Sequence, residues 1–282
     1  MALVERRMPF AERRFRGDRA GPSLRARTCK NGDIAMIKSL AALALLAGTA
    51  AIAAAPKLPA NIAHAAADPA RQEDAAKDAA RHGPELLAFA GVKPGARVID
   101  LIPGGGYWTR LFAGAVGASG HVYGIWPSEY VKVDDDEPGP YKAVAAHYPN
   151  VTVLEQPAAA LTAPEKVDLV FTAQNYHDYP DKFMGPTDPA VLNKAVFAAL
   201  KPGGAYLIVD HVAAAGSGLR DTDTLHRIDP AIVKAQVEKA GFRFVGASKL
   251  LANPADDHSR KVFDKTIRGH TDQFVYLFRK PA

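Results

Sequence analysis

Cysteine is almost missing from this sequence: its 282 residues include one, Cys29. That excludes a disulfide framework and any zinc site built on several thiolates. No uninterrupted apolar run reaches the roughly 18 residues needed to read a membrane span. Low-complexity and collagen-like classes fall away on composition, which is 48% hydrophobic and 23% charged. A basic surface for polyanions is lacking too, despite a formal net charge of +5. Ten of the 35 Lys and Arg lie in residues 1–55, against four of the 30 Asp and Glu. The rest of the chain carries 25 basic and 26 acidic residues, so no nucleic-acid partner is expected.

What the N-terminal region does contain is a secretory pattern. Residues 36–55 read MIKSLAALALLAGTAAIAAA: a lysine, an apolar stretch over Leu40–Leu46, then small residues. This is the layout of a signal peptide starting at Met36, which makes the product periplasmic or secreted. A buried Ala-rich helix, with a cytoplasmic product, is the competing reading. Cleavage is expected after Ala53 or Ala55, or near Ala65–Ala67. Residues 1–35, with eight arginines, read as a disordered leader that is bypassed if synthesis begins at Met36. Residues 56–90 form an N-terminal helical extension and residues 91–282 an α/β domain. After signal removal no membrane attachment is expected.

In the extension, Asp68 caps a helix beginning at Pro69, Gly83-Pro84 breaks it, and a second helix runs to Ala90 and ends at Gly91. From Arg97 onward short apolar runs alternate with helical patterns. Strands are expected at Val98–Ile102, His121–Ile125, Val151–Leu154, Val167–Phe171, Ala205–Asp210, Phe242–Gly246 and Gln273–Phe278. Helices are expected at Tyr107–Val116, Tyr141–Tyr148, Pro189–Leu200 and Pro230–Ala240, the last capped by Asp229. Residues 126–140 read as a polar loop whose acidic run, Asp134-Asp135-Asp136-Glu137, is solvated. The alternation implies a mostly parallel sheet covered on both faces, and the last two strands suit an antiparallel edge hairpin.

The segment Asp100-Leu101-Ile102-Pro103-Gly104-Gly105-Gly106 joins the first strand to the first helix of the sheet. Ligands of open α/β sheets bind there, and glycines let the backbone approach them closely. This segment, with Lys201-Pro202-Gly203-Gly204 ahead of AYLIVD, resembles the class I S-adenosylmethionine-dependent methyltransferases. More narrowly, VKPG, PGGGYWTRLF, QNYHD and the leader resemble a group of exported predicted methyltransferases. The resemblance covers residues 91–282. It implies a Rossmann-like methyltransferase fold: a seven-stranded, mostly parallel sheet with an antiparallel C-terminal edge hairpin, preceded here by N-terminal helices. It also implies S-adenosyl-L-methionine as cofactor, held by Asp100, Pro103, Gly104, Gly105, Gly106 and Tyr107, with Glu155 and Gln156 on the adenine side. Two positions depart from the family: Ile102 replaces its first glycine, and Trp126 stands where an acid should hold the ribose hydroxyls. Glu129 is a possible substitute for that acid.

At the end of the fourth strand, Asn175, Tyr176, His177 and Asp178 gather an amide, a phenol, an imidazole and a carboxylate. The resemblance implies that this place supplies substrate-orienting or base residues, so Asn175, His177 and Asp178 are the catalytic candidates, with Asp210-His211 a second pair. Packing and helix capping are the competing role for Tyr176 and His177. Asp221, Asp223, His226 and Arg227 are expected to cap a helix or face solvent. No metal is expected, because His177, Asp178, His211 and His226 lack a close ligand spacing.

Three functions follow. The first is a methyltransferase for a small-molecule or protein acceptor. The second is an exported relative that binds another small ligand without methyl transfer, since a charged sulfonium does not cross a bilayer unaided. The third is a nucleotide-dependent oxidoreductase, for which Thr109 stands at the third fingerprint glycine.

Overall fold

A computed structural model describes residues 57–133 and 138–282. The expected leader and signal segment, and the acidic run 134–137, lie outside the described residues. Among the described residues no helix is long and apolar enough to cross a membrane.

Seven strands form one sheet in the order β3-β2-β1-β4-β5-β7-β6. They are β1 (Arg97–Leu101), β2 (His121–Pro127), β3 (Val151–Gln156), β4 (Val167–Ala173), β5 (Leu200–His211), β6 (Arg243–Ser248) and β7 (Gln273–Arg279). Strands β1 to β5 are parallel, while β7 runs antiparallel to both β5 and β6. The central strands are buried on both faces, which is why Val98, Ile99, Val170, Phe171, Leu207 and Ile208 run without polar alternation. The Lys201-Pro202-Gly203-Gly204 turn is absorbed into β5 as a bulge: pairing jumps from Val167↔Leu200 to Leu169↔Ala205.

The helices are α1 (Ala60–Ala66), α2 (Gln72–Arg81), α3 (Gly83–Ala90), α4 (Tyr107–Val116), α5 (Ser128–Val133), α6 (Pro138–His147), α7 (Pro189–Ala199), α8 (Thr222–Leu225) and α9 (Pro230–Lys239). An Asp-Pro pair opens three helical segments. Asp68, Asp188 and Asp229 each accept a hydrogen bond from the amide two residues on. The proline is preset for the first turn. Residues 128–133 are helical rather than part of a loop. That short helix holds because Tyr130 packs on Trp126 and Phe183, with ring centres 5.7 and 6.0 Å away.

Helix α1 was not expected as an element. It buries Ile62 and Ala65, and Asn61 Nδ2 donates to the carbonyls of Val92 and Ala115 at 3.2 and 3.0 Å. Gly114 on α4 makes room for it, since a Cβ there would lie 2.9 Å from Ala65 Cβ. Gly114→Ala should therefore lower stability by about 1 kcal/mol in urea denaturation, overpacking outweighing the gain in helix propensity. A stabilised variant would mean that α1 does not dock on α4.

Candidate functional site

The bend after β1 is built from left-handed backbone at Ile102, Gly104 and Gly106, with φ of +51°, +54° and +80°. For a β-branched residue this conformation costs on the order of 1 kcal/mol. Ile102 is held in it by its own amide, which donates to the Ile125 carbonyl at 2.9 Å, and by Asn175 Nδ2, which donates to its carbonyl at 3.2 Å. The glycine-like turn thus survives the loss of the glycine. A Cβ at Gly104 or Gly105 would meet nothing within 4 Å, so the indole at 126 does not plug the bend. Gly106 is different: a Cβ there would lie 2.8 Å from a Val144 methyl. It is also the N-cap of α4, and as a glycine it brings no side chain of its own to cap that helix.

Beneath the loop, Asp100 is buried and accepts the Thr109 hydroxyl at 2.6 Å. Burial pushes its carboxyl up to about 7, with the Thr109 hydrogen bond pulling the other way. From the outside, the N-terminal helices brace the loop. Arg110 donates to both oxygens of Asp74 on α2 and, through Nη1, to the Gly105 carbonyl at 3.0 Å. Tyr107 belongs to the same brace. Its hydroxyl donates to Asp78 at 2.6 Å, and the Arg71 and Arg81 guanidinium groups lie 5.5 and 4.9 Å from its ring centre. Its polar end is therefore committed to α2.

On the far side of the loop, Trp126 ends β2 opposite Glu155, and its side chain is 1% exposed. Glu155 is exposed, whereas Gln156 is tied to the turn that follows it, accepting from the Thr162 amide and donating to the Thr162 carbonyl. Glu129 accepts the Ala158 amide at 2.9 Å. The buried indole of Trp126 thus stands where the methyltransferases that this chain resembles place an acid for the ribose.

The 3-10 turn Tyr176–Asp178 follows β4 beside the loop. Asn175 bridges the two through Ile102, while its Nδ2 also donates to the Ala173 carbonyl at 2.7 Å. Tyr176 is core, donating to Gln236 and accepting from Asn193. His177 is buried against Asp210 at the end of β5. Its backbone amide donates to Oδ2 at 2.9 Å and its Nδ1 lies 2.7 Å from Oδ1. Its Nε2 lies 3.4 Å from Asp178 Oδ1. Burial alone would push the His177 ring down, but Asp210 and Asp178 outweigh it and raise it to about 9. Burial would raise Asp210, yet the His177 ring and amide hold it below the usual carboxylate range. His211 points elsewhere: its Nδ1 lies 2.8 Å from the Thr271 hydroxyl, and burial drives the ring down to about 3, so it is neutral.

Two residues expected to cap or face solvent are instead interior. Arg227 is fully buried in an ion pair with Asp256 at 2.9 Å. His226, at the left-handed end of α8, turns into the cluster, with Nδ1 at 3.9 Å from Asp178 Oδ1. No local pattern marks His226, since only the fold brings α8 against the turn after β4. The result is a buried set of imidazoles and carboxylates adjoining the glycine loop. Such a set can hold a proton or a cation.

A groove of about 410 Å³ opens at the other end of the strands, lined by Lys93, Asp168, Lys201, Gly203 and Arg279. Two of its cations are engaged: Lys201 pairs with Asp168, and Arg279 donates to the Gly203 carbonyl. Ligands of open α/β sheets bind at the opposite, carboxyl end, so this groove is set aside as the functional site.

No protein-family model matches the chain, and no curated protein matches it. Solved structures do. A SAM-dependent methyltransferase from Aquifex aeolicus superposes with a TM-score of 0.51 at 20% identity, covering 75% of this chain and 93% of its own. The glycopeptide N-methyltransferase MtfA, complexed with sinefungin, gives 0.50 at 15% identity, covering 73% and 87%. The cyclase SpnF gives 0.52 at 17% identity, covering 72% and 81%. At such identities the likeness is one of fold, and one of these proteins is named for a cyclisation. The chain has the Rossmann-like methyltransferase fold, with its seven-stranded sheet and antiparallel edge hairpin.

Proposed function

We propose that this chain is an S-adenosylmethionine-dependent methyltransferase for a small-molecule or protein acceptor. One observation carries the reading: the outer face of the bend at Gly104 and Gly105 is bare, where the bend leads into α4 through its glycine N-cap. A helix N-terminus favours an anion, and a cation next to the buried Asp100 carboxyl would draw that group back toward its charged form. The methionine end of the cofactor carries both charges, and when bound it supplies an electrophilic methyl group on sulfur. The residues that would hold it are Asp100, Pro103, Gly104, Gly105 and Gly106. Asn175 keeps the acceptor side in register with the loop through its bond to Ile102. His177, oriented by Asp210, and Asp178 stand where an acceptor proton could be held or taken. Placing the acceptor in line matters more here than strong acid–base chemistry. Export through residues 36–55 is part of the same proposal.

Ligand binding without transfer is the second reading. Trp126 favours it, because an indole offers no acceptor to ribose hydroxyls where a carboxylate would offer two. The SpnF likeness favours it too, at the level of fold. An oxidoreductase is poorly served, since the Thr109 hydroxyl at the third fingerprint position is committed to Asp100. Calorimetric titration with S-adenosylmethionine and its demethylated product separates the first two readings. The expected result is one site of micromolar affinity, about −8 kcal/mol. A folded chain that binds only in the millimolar range would turn the conclusion to the second reading.

A further inference from the structure

Three buried side chains from two separate turns converge beside the candidate acceptor position. His177 and Asp178 come from the turn after β4, and His226 from the end of α8. From this convergence we propose that they form a binding site for a divalent transition-metal ion, each imidazole giving one nitrogen and Asp178 one oxygen.

The spacing carries the first part of the case. His177 Nε2 and His226 Nδ1 lie 3.4 and 3.9 Å from Asp178 Oδ1, and one ligand atom from each residue falls within 4.8 Å of the others. Neighbouring ligands of a tetrahedral zinc ion, each about 2.0–2.2 Å from the metal, are about 3.3–3.6 Å apart. The cluster therefore contracts around an ion by small side-chain movements.

Orientation carries the second part. Asp210 engages the far nitrogen of His177 at 2.7 Å, so Nε2 is the nitrogen aimed at Asp178. Carboxylate–histidine–metal chains have this arrangement, in which the outer carboxylate fixes the ring and raises its basicity. Asp210 is itself fixed, accepting the backbone amides of His177 and His211. His211 stays outside the trio, its ring centre 6.3 Å from that of His177.

The donor set narrows the ion. Two imidazoles and one carboxylate do not suit calcium or magnesium, which take oxygen ligands, and there is no thiolate for a soft ion. Zinc, iron(II), cobalt(II) and manganese(II) accept such a set. Three protein ligands leave a coordination position open, the pattern of sites that bind an exchangeable water or substrate atom. The His226 ring lies 4.9 Å from that of the exposed Phe263. A metal here would face the acceptor, which extends the methyltransferase reading without depending on it. Metal binding is measured with no S-adenosylmethionine present.

The test uses the untagged full chain, stripped with a chelator, dialysed and titrated with cobalt(II) chloride. The expected result is one equivalent bound per chain, with the visible absorption of a four- or five-coordinate ion, and displacement by zinc. His226→Ala and Asp178→Asn should each weaken binding at least about 100-fold, and His226→Gln serves if the alanine variant does not fold. His258→Ala, at the separate His258–Asp272 pair, should bind as the unaltered chain does. Two results would overturn the proposal. One is a wild-type spectrum that stays that of the hydrated ion. The other is tight binding that persists in folded His226 and Asp178 variants.

Discussion

Gly104→Val is expected to abolish binding of S-adenosylmethionine, a loss of at least about 100-fold, in a chain that remains folded. Nothing in the protein lies within 4 Å of where the new Cβ would sit, so the substitution meets no internal clash. Its cost to folding is the left-handed backbone at φ +54°, about 1–2 kcal/mol for a β-branched residue. The valine methyls then occupy the space through which the ligand would reach the main chain. Two companion variants separate strain from blockage. Gly105→Ala has open space and no left-handed φ, so it should leave thermal stability unchanged while weakening the ligand. Gly106→Val should destabilise the fold, because its Cβ runs into Val144 and its backbone is left-handed. Calorimetry and thermal denaturation of the set decide the matter. Undiminished binding in folded Gly104→Val would mean that the bend is a turn and nothing more.

That bend was legible in the sequence because its signals are local. An apolar run, three glycines and a helical pattern are contiguous, and each dictates its own backbone. The same holds for the helices opened by Asp68 and Asp229, where cap and proline are adjacent. What stayed hidden depends on contacts between distant segments. Helix α1 is alanine-rich and without periodicity, and it is specified by the gap left at Gly114. Helix α5 lies in a polar stretch and exists through Tyr130 packing on Trp126 and Phe183. Tyr107 reads as a pocket residue from its place after the glycines, yet the charges of Arg71, Asp78 and Arg81 draw it to α2. His226 reads as a cap, and only the packing of α8 against the turn after β4 shows otherwise. Ile102 is the reverse case. The residue type argued against the glycine turn, but its two backbone hydrogen bonds impose that turn.

Asp210→Ala is expected to cost about 3–5 kcal/mol of stability, the size usual for removing one partner of a buried ion pair. The carboxylate is fully buried and accepts three hydrogen bonds at 2.7–2.9 Å: the His177 amide, the His177 ring and the His211 amide. Alanine leaves all three donors buried without that acceptor, and it leaves the His177 ring next to Asp178 with nothing to orient it. Asp210→Asn keeps the volume but turns an amide NH₂ toward donors, so it should recover only part of the loss. A double-mutant cycle with His177→Ala isolates the pair, and the coupling should exceed about 2 kcal/mol for groups in direct buried contact. The measurement is equilibrium denaturation of the chelator-treated chain, which removes any contribution from a bound ion. If Asp210→Ala costs less than about 1 kcal/mol, His177 is not held by that carboxylate in solution. The imidazole then loses the fixed orientation on which both its acceptor role and its role as a metal ligand depend.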